Sequence, residues 1–244
     1  MSRLLFDQVG ERMFEAGVSE GVLFTYTAST ANTGVAWNGL TSVADSPDGG
    51  DANDQYADNI KYLSLRGTEN RNGTIEAFTY PPQFNQCMGN FGANGVYFAG
   101  QTKKPFSFAY KTKVGNDVDG LDGHDKLHIV YNATVNPTEK TYETVNESPE
   151  AMQLSWEYTT TPLAVSLTTA QKTALADTDF AELAKIKSVA VFEIERTTES
   201  AAIYDIIEAS IYGTDAAGEV QGTNSTLMLP ADIIATIIAN LPQN

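Results

Sequence analysis

Within the segment "KTKVGNDVDGLDGHDKLHIVYN", residues 111–132, the aspartates Asp117, Asp119, Asp122 and Asp125 stand among glycines, the raw material of an oxygen-lined cation loop. A calcium loop of the EF-hand kind wraps the ion with oxygens at positions one, three and five, turns on a glycine at six and closes with a bidentate glutamate at twelve. Counted from Asp117, position five is Leu121, position six is Asp122 and position twelve is His128. The ligand spacing is therefore wrong, and two glycines and four aspartates between alternating runs read instead as the tip of a hairpin. The two histidines, His124 and His128, fall on one side of the second strand without a third metal ligand beside them. Glu193 and Glu195 alternate along a strand, which is the pattern of a solvated face. The stretch "GNFGANG", 89–95, lacks the strand-to-helix setting and the Lys-Ser/Thr pair of a phosphate loop and reads as a turn. Cys87 is alone, which excludes an internal disulfide and suits buried filler. The expectation is no catalytic residue, no cofactor and no metal.

The elements that position these side chains are strands first and helices last. "FSFAYKTKV" and "KLHIVYNATV" alternate as half-buried strands, with Phe106, Phe108 and Tyr110 on one face of the first and Leu127, Ile129, Tyr131 and Ala133 on one face of the second. "GVLFTYT", "GVAWNGLTSV", "NIKYLSLRGT", "TIEAFTY" and "MQLSWEYTTT" extend the strand pattern, Met152, Leu154, Trp156 and Tyr158 facing inward. After Pro162 the texture changes. "TDFAELAKIKS" reads as a short helix, "SVAVFEIER" as a strand, "SAAIYDIIEASIYG" as a helix ending at Gly213, and "LPADIIATIIANL" as a helix starting at Pro230. Ile203, Ile206, Ile207 and Ile211, then Ile233, Ile234, Ile237, Ile238 and Leu241, form two stripes at helical spacing that are core-packing faces. The reading is a mainly β, antiparallel sandwich or barrel with flanking helices concentrated in the C-terminal third. A core occupies residues 1–165, and a helix-strand-helix extension, 166–244, packs on the same domain.

Composition narrows the partners. A chain of 244 residues with 42% hydrophobic content buries a full core, while a formal net charge of −16 disfavours phosphate-backbone binding. No run has the length of a membrane span or of a secretory leader, so the Asn-X-Ser/Thr motifs at Asn72, Asn132, Asn146 and Asn224 carry no weight. Residues 42–59, "SVADSPDGGDANDQYADN", hold Asp45, Asp48, Asp51, Asp54 and Asp58 without a cation and read as a long loop that orders on assembly. Lys103, Lys104, Lys111 and Lys113 form the one dense cationic stretch, a mate for such a loop on another copy.

The strings "GERMFEAGVSEGVLFTY", "GVAWNGLTSVADSPDGGDANDQYADNIKYLSLRGTENRNGTIEAFTYPPQFNQC", "GVYFAGQTKKPFSFAYKTKVGND" and "HIVYNATVNPTEKTYETVNESPEAMQLSWEYTTTPLAV" resemble the major tail proteins of long-tailed bacteriophages, from about Leu5 to Val165. Beyond Val165 the resemblance is looser, "IYGTDAAGE" being like the family's end. It implies a tail tube subunit: a β-sandwich with a flanking helix, assembled in rings, usually hexameric, that stack into the conduit for the genome. It also implies the tape measure and tail-end proteins as partners, DNA in transit without specific binding, no membrane anchor, and a place in the virion tail after synthesis in the host cytoplasm. Six such chains would carry roughly a hundred formal negative charges, which presents DNA with no adhesive wall. Two alternatives stand beside it: a secretion-tube protein, and an acidic β-sandwich that binds carbohydrate at a cell surface.

Overall fold

The computed structural model describes residues 4–27, 30–31, 33–49, 51–65, 67, 69–142, 144, 151–176, 178–216 and 222–241. In chain order the strands are β1 (Phe14–Thr27), β2 (Thr30–Ala31), β3 (Val35–Trp37), β4 (Leu40–Gly49), β5 (Asn53–Ala57), β6 (Ile60–Leu65), β7 (Glu69–Ala77), β8 (Phe91–Ala93), β9 (Val96–Phe98), β10 (Phe106–Asn116), β11 (Gly120–Val135), β12 (Leu154–Thr160), β13 (Leu163–Ala164), β14 (Ser188–Val189) and β15 (Val191–Glu195). The helices are α1 (Thr169–Ala176), α2 (Ala201–Tyr212) and α3 (Pro230–Ala239), with 3-10 turns at Pro82–Gln86 and Ala181–Lys185.

The fold is mainly antiparallel β with three α-helices among the described residues. A nine-stranded sheet runs β2-β1-β10-β11-β12-β7-β4, with β3 also on β1 and β15 also on β11. β11 forks the sheet, because the edge away from β10 is shared: Lys126–Val130 pair with β15 and Ala133–Val135 with β12. Three two-stranded units, β5-β6, β8-β9 and β13-β14, stand apart from it.

Two cores follow from strand alternation. Leu23, Phe106, Phe108, Val130 and Ala133 face one way, with Ile75, Trp156 and Tyr158 of β7 and β12 buried in the same cluster. Phe84 of the 3-10 segment and Cys87 just after it plug the cluster, and Phe84 lies 4.5 Å from Trp37, 5.2 Å from Phe106 and 5.4 Å from Trp156. Each aromatic pair contributes about 0.5–1.5 kcal/mol beyond its buried area. Gly73 is required here, since a Cβ would stand 2.3 Å from the Tyr158 hydroxyl and 2.4 Å from the Ala44 carbonyl oxygen. On the other face Val22, Phe24, Ala109, Leu127, Ile129 and Tyr131 meet Ile203, Tyr204, Ile207 and Ile211 of α2 and Ile233 and Ile237 of α3. Each of these fully buried isoleucines stabilises the docked helices by about 1.5–3 kcal/mol. Gly213, at φ 76°, ends α2 as its sequence position predicts.

Several expectations are corrected. Ala133 does not share the face of Leu127, Ile129 and Tyr131. Phe106 pairs with Ala133 but Phe108 with Val130, and the surplus residue in β11 is accommodated at Asn132, φ 48°, which turns the strand's faces over. "GVAWNGLTSV" is not one strand: it breaks at Gly39, φ 76°, between β3 and β4. "TDFAELAKIKS" forms only the 3-10 turn Ala181–Lys185, whereas the unexpected α1 forms upstream of it. Met152 precedes β12 and is exposed, and Ile206 of the first stripe is exposed while Tyr204 is buried in its place.

The stretch 42–59 is not a structureless loop. Asp45 and Asp48 lie in β4, opposite Gly73 and Asn70 of β7, and Pro47 stands opposite Arg71. Asp54 lies in β5, and Asp58 and Asn59, φ 50° and 62°, form the two-residue turn into β6. The composition is that of a loop, but the β7 ladder satisfies the backbone and Arg71 stands 3.0 Å from Asp45. Likewise the segment 89–95 is no plain turn: it carries β8 and an Asn94-Gly95 turn into β9, both φ positive.

Candidate functional site

The β5-β6 hairpin projects from the sheet with no buried residue. Tyr56, Ile60 and Tyr62 are 70%, 63% and 70% exposed, and Leu63 and Leu65 are exposed as well. Its polar contacts are few: Lys61 pairs with Asp54 at 2.7 Å, and the Ser64 hydroxyl donates to Asp54 at 2.6 Å. The β8-β9 hairpin repeats the arrangement with Phe91, Val96, Tyr97 and Phe98 exposed. A third apolar surface is the segment before β1, where Leu4, Leu5, Phe6, Val9 and Met13 are exposed.

The β10-β11 hairpin fastens that N-terminal segment. Only Asp117 and Asp119 stand in the turn, while Asp122 and Asp125 belong to β11, so the four aspartates do not crown one tip. The Asn116 carboxamide oxygen accepts from the amides of Val118 and Asp119, closing the turn. Asp117 accepts from the Gly10 amide at 2.9 Å and lies 3.5 Å from the Arg12 guanidinium, which itself donates to the Asp7 carbonyl. Asp125 pairs with Lys113 across the strands at 3.0 Å.

The four lysines of the cationic stretch separate into two environments. Lys111 is buried beneath α2, 2.7 Å from Glu20 and 2.5 Å from Glu208, with its ammonium 4.4 Å from the centre of the Tyr212 ring. Burial alone would pull this lysine down, but hydrogen bonds to Glu20 and Glu208 outweigh it and hold it above its ordinary value. Lys111 and Lys113 are thus partnered within the chain. Among the described residues Lys103 and Lys104 have only neutral acceptors: the Val135 carbonyl at 2.8 Å and the Gln86 carboxamide at 3.1 Å. Of the aspartates, Asp48, Asp51 and Asp58 are exposed, whereas Asp45 and Asp54 are already paired with Arg71 and Lys61.

His124 and His128 do not meet a common ligand set. His124 contacts Glu195 at 2.5 Å. His128 is buried, stacked 4.6 Å from Tyr110, with Thr112 at 2.9 Å and Glu15 at 3.2 Å from Nε2 and Glu193 at 3.5 Å from Nδ1. Burial pulls its imidazole below the ordinary value, Lys126 helping and Glu193 and Glu15 opposing. Burial would raise Glu15, but Thr112 and Lys126 hold it low; Glu193 is likewise held low by Lys126 and His128 against its burial. Glu193 and Glu195 therefore belong to a charge network and not to a plain solvated face. Among the described residues no group of three or more His, Cys, Asp or Glu is arranged to hold a metal ion. Cys87 is buried, its thiol pushed up to about 12 by desolvation, against the pull of Lys104.

Sequence patterning missed the apolar hairpins as surfaces, although Asn94-Gly95 and the tyrosines and leucines around Asp58-Asn59 are the signal for them. No helix among the described residues is long and apolar enough to cross a membrane. Neither family models nor curated proteins give a match to this chain.

Proposed function

We propose that this chain is a non-catalytic structural subunit that assembles with copies of itself, and specifically a tail tube subunit of a long-tailed bacteriophage, forming stacked rings through which DNA passes unbound. The observation that carries the reading is the β5-β6 hairpin. A two-stranded hairpin alone is marginal in water, and this one leaves tyrosine, isoleucine and leucine side chains uncovered by any of the described residues. Contiguous exposed apolar side chains of this kind mark an interaction surface. The acidic balance and the sequence resemblance supply the kind of assembly; hexameric rings, a β-sandwich of the tail-tube type, the virion tail and the tape measure and tail-end partners belong to this proposal.

Sedimentation and negative-stain microscopy of the purified full chain test it. Rings or tubes are expected, and a Tyr56→Ser, Tyr62→Ser variant is expected to fold with an unchanged circular dichroism spectrum and remain monomeric. Assembly of that variant at the parent's rate overturns the role of the hairpin, and a parent that stays monomeric at every concentration overturns the reading.

A second reading, carbohydrate binding, is favoured by a cavity of about 430 Å³ where Gln83, Asn85, Gln86 and Asn90 stand with Phe91 and Tyr97. Amides beside aromatic faces suit sugar hydroxyls and ring faces. Saturable glycan capture by the monomer, lost in Tyr97→Ala, would support it over the first.

A further inference from the structure

We infer that the cavity between the end of β11 and the 3-10 segment is an oxyanion-binding site, one that takes a carboxylate or phosphate group against Lys140 and Lys103. The cavity, about 370 Å³, is lined by Met88, Asn90, Lys103, Asn136, Lys140 and Trp156. Lys140 is half-buried, yet no carboxylate pairs with it among the described residues. Its ammonium lies 3.7 Å from the Met88 sulfur and 5.5 Å from the centre of the Tyr80 ring, both weak and neutral partners. Burial pulls this lysine below its ordinary value with no anion to restore it. Outside this cavity the buried Lys111 and half-buried Lys126 each contact two carboxylates. In a molecule of net charge −16, the two half-buried lysines without a carboxylate partner among the described residues, Lys103 and Lys140, line the same cavity.

The surroundings supply the remainder of an anion site. Lys103 brings a second ammonium to the cavity, tethered through the Val135 carbonyl. Asn136 donates to the Thr159 hydroxyl at 3.2 Å, which fixes its carboxamide, and Asn90 adds a further amide donor to the lining. The floor is apolar: the Trp156 indole donates to the Met88 sulfur at 3.1 Å, so the indole proton reports on that sulfur and on the lysine beside it. A charge-assisted contact in such a partly desolvated setting is stronger than one on open surface. The inference does not depend on self-assembly. A free oxyanion and a carboxylate from an acidic segment offer the same chemistry.

The test follows the two indole N–H signals of the ¹⁵N-labelled full chain, Trp156 at the cavity and Trp37, which donates to the Thr79 carbonyl and meets Trp156 edge-on at 5.6 Å, as the reference for a smaller, relayed shift. One titration uses inorganic phosphate; the other uses a synthetic peptide of residues 45–58, with an all-Asn version as its neutral counterpart. A saturable shift of Trp156, larger than that of Trp37, is expected, with affinity weakened about tenfold or more in Lys140→Met and retained in Lys140→Arg. Response to phosphate only assigns the site to free oxyanions; a tighter response to the acidic peptide, absent with its Asn version, assigns it to acidic segments. If Lys140→Met loses its dispersed spectrum, Lys103→Gln makes the same comparison. A Trp156 signal unmoved by both probes, or equal affinity in the charge-removing variant, overturns the inference.

Discussion

Lys111→Met removes one charge from a site where three elements meet and leaves most of the aliphatic stem in place. The ammonium side chain is 9% exposed, but Glu208 and Glu20 are 30% and 56% exposed. Removing one member of a fully buried pair costs about 3–5 kcal/mol, because the other charge is stranded. Here water reaches both carboxylates, and that cost falls to about 1–2 kcal/mol. Loss of the cation-π contact with Tyr212 adds about 0.5–1 kcal/mol. The expected total, about 2 kcal/mol, lowers Tm by roughly 4–8 °C for a chain of this size. Thermal unfolding followed by far-ultraviolet circular dichroism at neutral pH measures it, and Glu208→Gln should give a smaller loss because Glu20 still faces the lysine. A Lys111→Met chain with unchanged Tm that fails to assemble would refute the reasoning, since it would show the charge serving a neighbour and not the α2 contact.

His128→Gln is expected to flatten part of the acid limb of stability. The imidazole is held below its ordinary 6.5 in the fold, so the unfolded chain binds the proton first and stability falls as pH drops through 6.5 toward the folded value. Glu15 and Glu193, held below 4.5, extend the loss in the same direction at lower pH; denaturant unfolding from pH 8 to pH 4 checks the difference between parent and variant. Asp117→Ala should free the Gly10 amide and Arg12 from the hairpin, seen as faster hydrogen exchange at Gly10 with stability changed by less than about 1 kcal/mol; unchanged exchange would show that Asp117 does not fasten the segment.

The strands were legible because alternation is a local signal: Phe106, Phe108 and Tyr110, and Leu154, Trp156 and Tyr158, face the core the sequence assigns them. The bulge at Asn132 was not, although Asn in mid-strand is the residue that tolerates positive φ. The start of α1 was also written in the chain, as Thr168 and Gln171 exchange the reciprocal bonds of a capping box. Lys111 could not be placed from sequence. Its neighbours in the chain resemble a solvated basic run, and its burial depends on Glu208 and Tyr212, about a hundred residues away and brought over it by α2. The same holds for Lys140, whose lack of a carboxylate partner among the described residues is a property of the folded surface.

Pro47 gives β4 a consequence of its own. Having no N–H, it is tolerated in a ladder only where its nitrogen points away from the paired strand, and β4 is the end of the sheet's path. A strand from elsewhere that tried to extend the sheet along this border would find the backbone groups of alternate residues as far as Asp45 and then a missing donor at Pro47, beside the exposed carboxylate of Asp48. The border therefore works as a template of limited length. It can accept a short, correctly placed segment, and it resists the open-ended stacking of strands that turns an exposed sheet margin into a seed for fibrils.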